Sequence, residues 1–536
     1  MLSSKAVRWT AGWGVGVVVG TAWFVACSSS SDPPAVDPTG GGDDPSEGGA
    51  IVLPDGAVLL PDGAIVQPDG GPIPDGSTVT DTGPDVKDSG PVITYKNFDI
   101  NHVISTGASD SVANGASPTI TKTQPFTNLS FNVGVMTGRG TPGNPAGACN
   151  GIGCTQYENP NDFIPLIEDD RFLGFKVETM SSGLANQASV FATGYFAKVG
   201  LPYTSHDVLV SVHGRSGVAM SCLWKVYCDY EANPGYLSPF GEGMMQVQSA
   251  KTIAAAKGKT YVVRAVTIIH GQSDHDSRET ELIGNGVPTY AAALIKMQQE
   301  YETSVQAITG QAEPVPLFVS QFGSFTAGPI DTQNNVITSV IPVRQLAAHV
   351  QAKGKIFVVT PNYPFQHYPD CNHYHNYSER RLGAYFAKAY NRVIVEGVPW
   401  EPLRPISITR ANNVLTIKYH VPVPPMVLDT TRVLNPGNYG FTFQDSTASA
   451  SITSVALAGP DTVTLTLSNA PTGANPKLRY ALNMPTVNQC PGPTFGGRGN
   501  FRDSDPTVPD YNDNNGADDQ PQPLFNWSVA YELDVP

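Results

Sequence analysis

Four short segments of this 536-residue chain carry side chains that together could move an acyl group. In Gly107-Ala108-Ser109-Asp110-Ser111, a serine flanked by small residues follows an apolar stretch, where a tight turn would present its hydroxyl. In Asp370-Cys371-Asn372-His373, a carboxylate and an imidazole stand three residues apart on a loop. That spacing lets the carboxylate fix the ring and stabilise its charged form. Ser109 would be the nucleophile, His373 its base and Asp370 the orienting acid. The other two segments offer what a tetrahedral oxyanion needs. His213-Gly214-Arg215-Ser216-Gly217 supplies glycine N–H groups, with Gly217 preferred over Gly214, and His270-Gly271-Gln272-Ser273-Asp274 supplies a side-chain donor, either His270 or Gln272. Ser216 is a rival nucleophile, but Gly217 follows it directly and Val218 comes next, so the Gly-x-Ser-x-Gly elbow spacing fails. His367 and His375 are alternative bases. Three histidines this close also raise a metal reading, which is set aside because isolated histidines are more often structural.

Each segment follows an apolar run that reads as a strand. His102–Ser105, Asp207–Val212, Tyr261–Ile269, Val315–Val319 and Lys355–Thr360 form the series, with helical stretches at Met244–Ala256, Tyr290–Ile308 and Glu379–Val395. Strands alternating with helices imply a parallel sheet with right-handed crossovers, and ligands of such sheets sit at the carboxyl ends of the strands. From residue 401 the pattern changes to short alternating strands such as Pro405–Arg410, Val414–Tyr419, Ser451–Ala456 and Thr462–Leu467. This reads as a β-sandwich of immunoglobulin or fibronectin type. Within it, Arg498–Asp505 reads as a structural loop packed on the preceding domain, and Asp510–Asp519 as an exposed loop, since its Gly is one position late for an EF-hand.

In order and spacing the four segments resemble the sequence blocks of the SGNH/GDSL hydrolases. They are closest to the branch of sialate O-acetylesterases and acetylxylan esterases, whose first block reads Gly-Gln-Ser. Ala108 stands where that branch has Gln, and the third segment differs at two positions from His-Gln-Gly-Glu-Ser-Asp. Asp370 to Gly383 resembles the last block, Asp-x-x-His followed seven residues later by Arg and ten later by Gly. The resemblance covers roughly 96–400. It implies a three-layer α/β/α, flavodoxin-like domain and a Ser109–His373–Asp370 triad hydrolysing esters, acetyl groups on carbohydrate in particular, without metal or cofactor. The oxyanion hole would combine the N–H groups of Ser109 and Gly217 with Gln272 or His270. The altered blocks also admit a catalytically silent surface protein that binds glycans or adheres. The same triad would serve a lipase or thioesterase, although no long apolar lid segment lies near Ser109.

The chain begins with Lys5 and Arg8, then an uncharged stretch from Trp9 to Ala26, then Cys27 and four serines. This is an export signal, and the Cys after Ala26 resembles the lipobox of bacterial lipoproteins, with Phe24 where Leu is usual. The resemblance implies a lipid anchor at Cys27 (1–27 removed or acylated) at the outer membrane or cell surface of a Gram-negative bacterium. A plain signal peptide or a single membrane span is the alternative. Residues 28–95 repeat Pro-Asp-Gly at Pro54, Pro61, Pro68 and Pro74, which forbids a helix and reads as a disordered acidic tether. The net charge is −15. About 11 of those negative charges fall in this tether, so the acidity argues against nucleic-acid binding and leaves a mildly acidic body. Beyond Cys27 six cysteines remain, as expected for disulfides in an exported protein. Cys149/Cys154 and Cys222/Cys228 are close enough for local loops, leaving Cys371 and Cys490 to join the two domains, 96–400 and 401–536. About 15 connectivities are open for six cysteines, and zinc is disfavoured because neither close pair is Cys-x-x-Cys. The oligomeric state is not legible.

Overall fold

The computed structural model describes residues 95–536 except 142–143, 150, 152, 169–175, 226–235, 275–281, 283–285, 324–329, 486–488 and 512–521, together with three residue pairs nearer the N-terminus. The signal with Cys27, nearly all of the tether, Cys228 and most of the Asp510–Asp519 stretch lie outside the described residues. In the N-terminal unit, Met1–Gly71, Ile51–Val52, Val58–Leu59 and Ile65–Val66 pair antiparallel. Apolar pairs that read as part of an extended spacer thus pair with one another.

The second unit, Pro72–Pro536, is built on a seven-stranded sheet: β1 (Ile100–Gly107), β2 (Leu129–Phe131), β3 (Phe163–Pro165), β4 (Val208–Val212), β5 (Tyr261–Ile269), β6 (Leu317–Gln321) and β7 (Ile356–Pro361). The spatial order is β7-β6-β5-β1-β4-β2-β3. All neighbours are parallel except β2 and β3. The strands are buried on both faces, which is why they read as continuous apolar runs rather than alternating ones. Successive residues serve opposite faces. Val103 joins a cluster with helices α1 (Met180–Val199) and α5 (Asn376–Tyr390). Ile104 joins one with α2 (Pro239–Ala256), α3 (Tyr290–Thr309) and α4 (Ile341–Gln351). The result is a mixed α/β body with a parallel-rich central sheet between helical layers.

Two helices escaped the sequence reading. The α1 run MSSGLANQASVFATGYFAKV buries small polar and apolar residues on most of its circumference, so it shows no 3.6-residue apolar stripe. It lies directly on α5: a Cβ at Gly183 would come 2.1 Å from Arg380 O, and one at Gly383 would come 2.2 Å from Met180 O. Gly383, which stood out in the last motif, is therefore a helix-contact residue. The α4 helix has no side-chain cap to announce its start, and α2 begins at Pro239, capped by Ser238, five residues before the stretch expected from sequence.

Beyond residue 400, the hairpins expected from alternation are present. Arg404–Ala411 pairs with Val414–His420, which pairs with Thr462–Leu467, which pairs with Ile452–Gly459. A second antiparallel sheet joins Phe441–Gln444, Lys477–Tyr480 and Tyr531–Asp534. Leu415, Ile417, Val463 and Leu465 of the first sheet and Phe443, Leu478, Tyr480 and Tyr531 of the second share one apolar cluster. This part is continuous with the central body. Lys388 on α5 bonds Asp505 at 2.7 Å and Leu524 O at 2.6 Å, which places the Arg498–Asp505 loop on α5.

Where α1 and α5 begin, Glu168, Glu178 and Glu379 are fully buried. Glu168 accepts from Thr179 Oγ1 (2.9 Å) and Ser182 N (3.2 Å), and Glu178 from the N–H groups of Ile120 and Thr121, both at 2.8 Å. Burial, with the Glu178 charge adding to it, pushes the Glu168 carboxyl up to about 8. Burial likewise raises Glu379, whose neighbours Asp110, Glu168 and Glu178 push the same way. A carboxyl raised in the folded state keeps its proton where the unfolded chain has lost it. Its stabilisation is full below the unfolded value, about 4.3, and is lost as pH rises through the folded value, about 8 for Glu168. Thermal unfolding of Glu168→Gln should therefore gain on wild type as pH rises from 5 to 8; a melting-temperature difference constant across that window would contradict the assignment.

Candidate active site

The sheet reverses its direction of growth at β1. From β1 the chain builds outward to β2, β3 and β4, then crosses to β5 on the other side and continues to β6 and β7. In sheets of this kind ligands bind outside the carboxyl ends of the strands where the winding switches, which here is between β1 and β5. Ser109 follows β1 and Gln272 follows β5. The two strands stay paired to their last residues, Ile269 with Gly107, and Ala108 N continues the ladder to Ile269 O at 3.0 Å. Gly107 has φ +139°, and a Cβ there would lie 2.1 Å from Ile269 O, so only glycine lets the strands run this close.

Ser109 opens a 3₁₀ turn, Ser109–Val112, held by Ser111 Oγ on Ala108 O (2.6 Å) and closed by Ala113 in the left-handed region. Ser109 is 9% exposed. Among the described residues its hydroxyl and its N–H have no hydrogen-bond partner, which leaves both uncommitted at the end of β1.

The second segment follows β4. Arg215 N bonds Gly107 O at 3.0 Å, and the Arg215 guanidinium, fully buried, pairs with Glu242 on α2. The anchor sets which glycine faces the serine turn. A Cβ at Gly214 would sit 1.9 Å from Ser111 Oγ and 2.9 Å from Gly107 O, whereas one at Gly217 meets nothing within 4 Å. Gly214 therefore lies against the Ser109–Val112 turn, and its N–H has no acceptor among the described residues, while Gly217, which the sequence favoured, is exposed with φ +76°. Ser216 Oγ is enclosed away from solvent.

The third segment is decided by hydrogen bonding. His270 Nε2 is 3.0 Å from Val218 O, which can only accept, so Nε2 carries the proton and Nδ1 accepts from Tyr290 OH at 2.7 Å. Burial lowers its basicity further. Both ring nitrogens of His270 thus already have partners. Gln272 instead reaches the serine turn, its Nε2 donating to Asp110 Oδ2. Asp110 was not singled out by sequence; it is 1% exposed and also accepts from Tyr374 N at 3.3 Å.

The fourth segment is a hairpin between His367 and Tyr374, with Tyr368 N on His373 O at 2.7 Å. At its tip Asp370 Oδ2 is 2.5 Å from His373 Nδ1, while Asp370 Oδ1 accepts the N–H groups of Asn372 and His373 at 3.0 and 3.1 Å. Burial works to raise the Asp370 carboxyl, but these donors hold it below the usual range. A carboxylate only accepts, so Nδ1 carries the ring proton and Nε2 keeps the basic lone pair. The hairpin rests on the loop that follows Ser109: a Cβ at Gly115 would be 3.2 Å from His373 Cβ and 3.5 Å from the Tyr368 ring. His367 is buried, with its basicity depressed by that burial to about 4; His375 precedes α5 and stacks on Tyr377. Neither joins Asp370.

Two disulfides are present among the described residues, Cys149–Cys154 and Cys371–Cys490. Cys222 is also disulfide-bonded. The Cys371–Cys490 bond enters the hairpin between Asp370 and His373 and ties it to the C-terminal part across 119 residues.

No protein-family model and no curated protein sequence matches the chain. Among solved structures, a carbohydrate acetylesterase from Xanthomonas citri aligns with 81% of this chain and 80% of its own at 11% identity and a TM-score of 0.44. A protein from Arabidopsis thaliana aligns with 54% of this chain and 97% of its own at 10% identity and a TM-score of 0.30. At these scores the chemistry of the site rests on its own residues.

Removing the cross-link with Cys371→Ser and Cys490→Ser should speed amide hydrogen exchange across residues 367–375 by about tenfold and leave β1 and α1 unchanged. Unaltered exchange in the hairpin would show that the bond does not hold it.

Proposed function

We propose that the chain is a serine esterase that removes acyl groups, acetyl in particular, from carbohydrate, displayed at a cell surface through Cys27. The observation that carries the reading is the Asp370–His373 pair, 2.5 Å apart on a hairpin seated against the Ser109 turn. His373 Nε2 takes the proton as Ser109 Oγ attacks the ester carbonyl, and Asp370 stabilises the imidazolium that forms. The N–H groups of Ser109 and Gly214, with the Gln272 amide beside them, face the developing oxyanion; each such donor is worth about 100- to 1,000-fold in rate. The ring then returns the proton to the departing sugar hydroxyl, and water releases the acyl group by the same steps in reverse.

Resemblance of the four segments to the SGNH hydrolases supports ester chemistry, and the branch they resemble supports an acetylated sugar. The Tyr368 ring adds to that: it is 38% exposed on the same hairpin as His373, where a flat apolar face can stack on a sugar ring. Ser109 Oγ lacks a hydrogen bond to His373 among the described residues. That favours a second reading, a glycan-binding protein without turnover, although such bonds often tighten only when substrate arrives.

Purified protein should hydrolyse p-nitrophenyl acetate, and Ser109→Ala should lower kcat by about 10⁴-fold or more; equal rates in the two proteins would leave the binding reading. Tyr368→Ala should raise KM for an acetylated xylo-oligosaccharide by about tenfold and leave KM for ethyl acetate unchanged. A parallel change for both esters would remove Tyr368 from sugar recognition.

A further inference from the structure

We propose that Asp110 is the positioning residue of this site: its buried carboxyl takes the Gln272 amide on one oxygen and the Tyr374 N–H on the other, clasping the third and fourth strand-end segments onto the nucleophile turn. The inference rests on the esterase reading for its kinetic consequence and on geometry alone for the clasp.

Asp110 directly follows Ser109, and its partners lie 162 and 264 residues further along the chain. Among the described residues, the Tyr374 N–H to Asp110 Oδ1 bond is the one hydrogen bond between the turn at 108–115 and the hairpin at 367–375. Tyr374 is the neighbour of His373, as Asp110 is of Ser109. A single carboxyl therefore sets the separation of nucleophile and base through two peptide units. The same carboxyl holds one end of the Gln272 amide, which decides where the other end can point. A displacement of about 1 Å between reacting groups can cost about 100-fold in rate, so a clasp of this kind acts on turnover more than on binding.

The surroundings favour a neutral clasp. Burial raises the Asp110 carboxyl well above its ordinary range, the Asp370 charge adds to this, and the Tyr374 N–H and the Gln272 amide oppose it. Glu379 and the Tyr374 phenol also face this region, and each is itself raised by burial with Asp110 contributing. A protonated carboxyl has the hydrogen-bonding range of a carboxamide: one oxygen accepts from Tyr374, and the O–H donates to Gln272 Oε1 once that amide is turned end for end. Asparagine can make both bonds, and alanine neither.

The test compares Asp110→Ala and Asp110→Asn in the full chain, reading p-nitrophenyl acetate kinetics and the exchange rate of the Tyr374 amide. The clasp predicts that Ala lowers kcat by about 100-fold with KM within about threefold, and that Tyr374 exchange accelerates. Asn should recover kcat to within about tenfold of wild type and restore Tyr374 protection. Wild-type kcat and Tyr374 protection in Ala would overturn the proposal. So would equal losses in Ala and Asn with a common fall in melting temperature, which would mark a packing role. If Ser109→Ala proves as active as wild type, the esterase reading fails by itself, and Tyr374 exchange still decides whether Asp110 holds the hairpin.

Discussion

The pairing of β1 with β5 is the contact on which the rest of the site depends. Their ladder runs from Tyr261 opposite Ile100 to Ile269 opposite Gly107, with one irregularity between Val263 and Ala265. It brings two chain segments more than 150 residues apart to the same edge and ends both at one level. Glycine at 107 leaves room for the close approach at their ends, where a Cβ would meet Ile269 O at 2.1 Å. The grouping at this edge is thus a consequence of winding order, and the side chains in it are those that follow strand ends.

Holding polar groups at such an edge carries a desolvation cost. Here the cost is met by hydrogen bonds between elements, Arg215 with Glu242 and His270 with Tyr290 and Val218, and by the pair within the hairpin, Asp370 with His373. Glu379 is one exception, with both carboxyl oxygens enclosed and no hydrogen-bond partner among the described residues. Burial and the surrounding acids push its carboxyl well above the ordinary range, which lowers the cost of enclosing it. Beneath the serine turn the protein therefore gathers carboxyls raised by burial, while its donors hold the exposed Asp370 below the ordinary range.

What could be read from sequence was what is local. The Asp370–His373 pair is an i,i+3 relation on one loop, and spacing alone announces it. The strands of the central sheet declare themselves as apolar runs, and the hairpins beyond residue 400 by alternation and turn residues. The choice of Gly214 over Gly217 depends on a clash with Ser111, a residue a hundred positions earlier, which no spacing reveals. The choice of Gln272 over His270 depends on Tyr290 and Val218 having claimed the imidazole. Asp110 was hidden because a carboxylate after a serine reads as a turn residue until its distant partners are known. Helix α1 was hidden because it is buried nearly all round.

The amide of Gln321, the last residue of β6, donates to Ala530 O at 2.9 Å and accepts from Ala530 N at 2.7 Å. The strand that follows, Tyr531–Asp534, completes the second antiparallel sheet. The Gln321 side chain thus pairs with the Ala530 backbone as a peptide unit of a neighbouring strand would. One amide side chain in this way splices the edge of the second antiparallel sheet to the end of a central strand, so that neither can shift without exposing unpaired polar groups of the other.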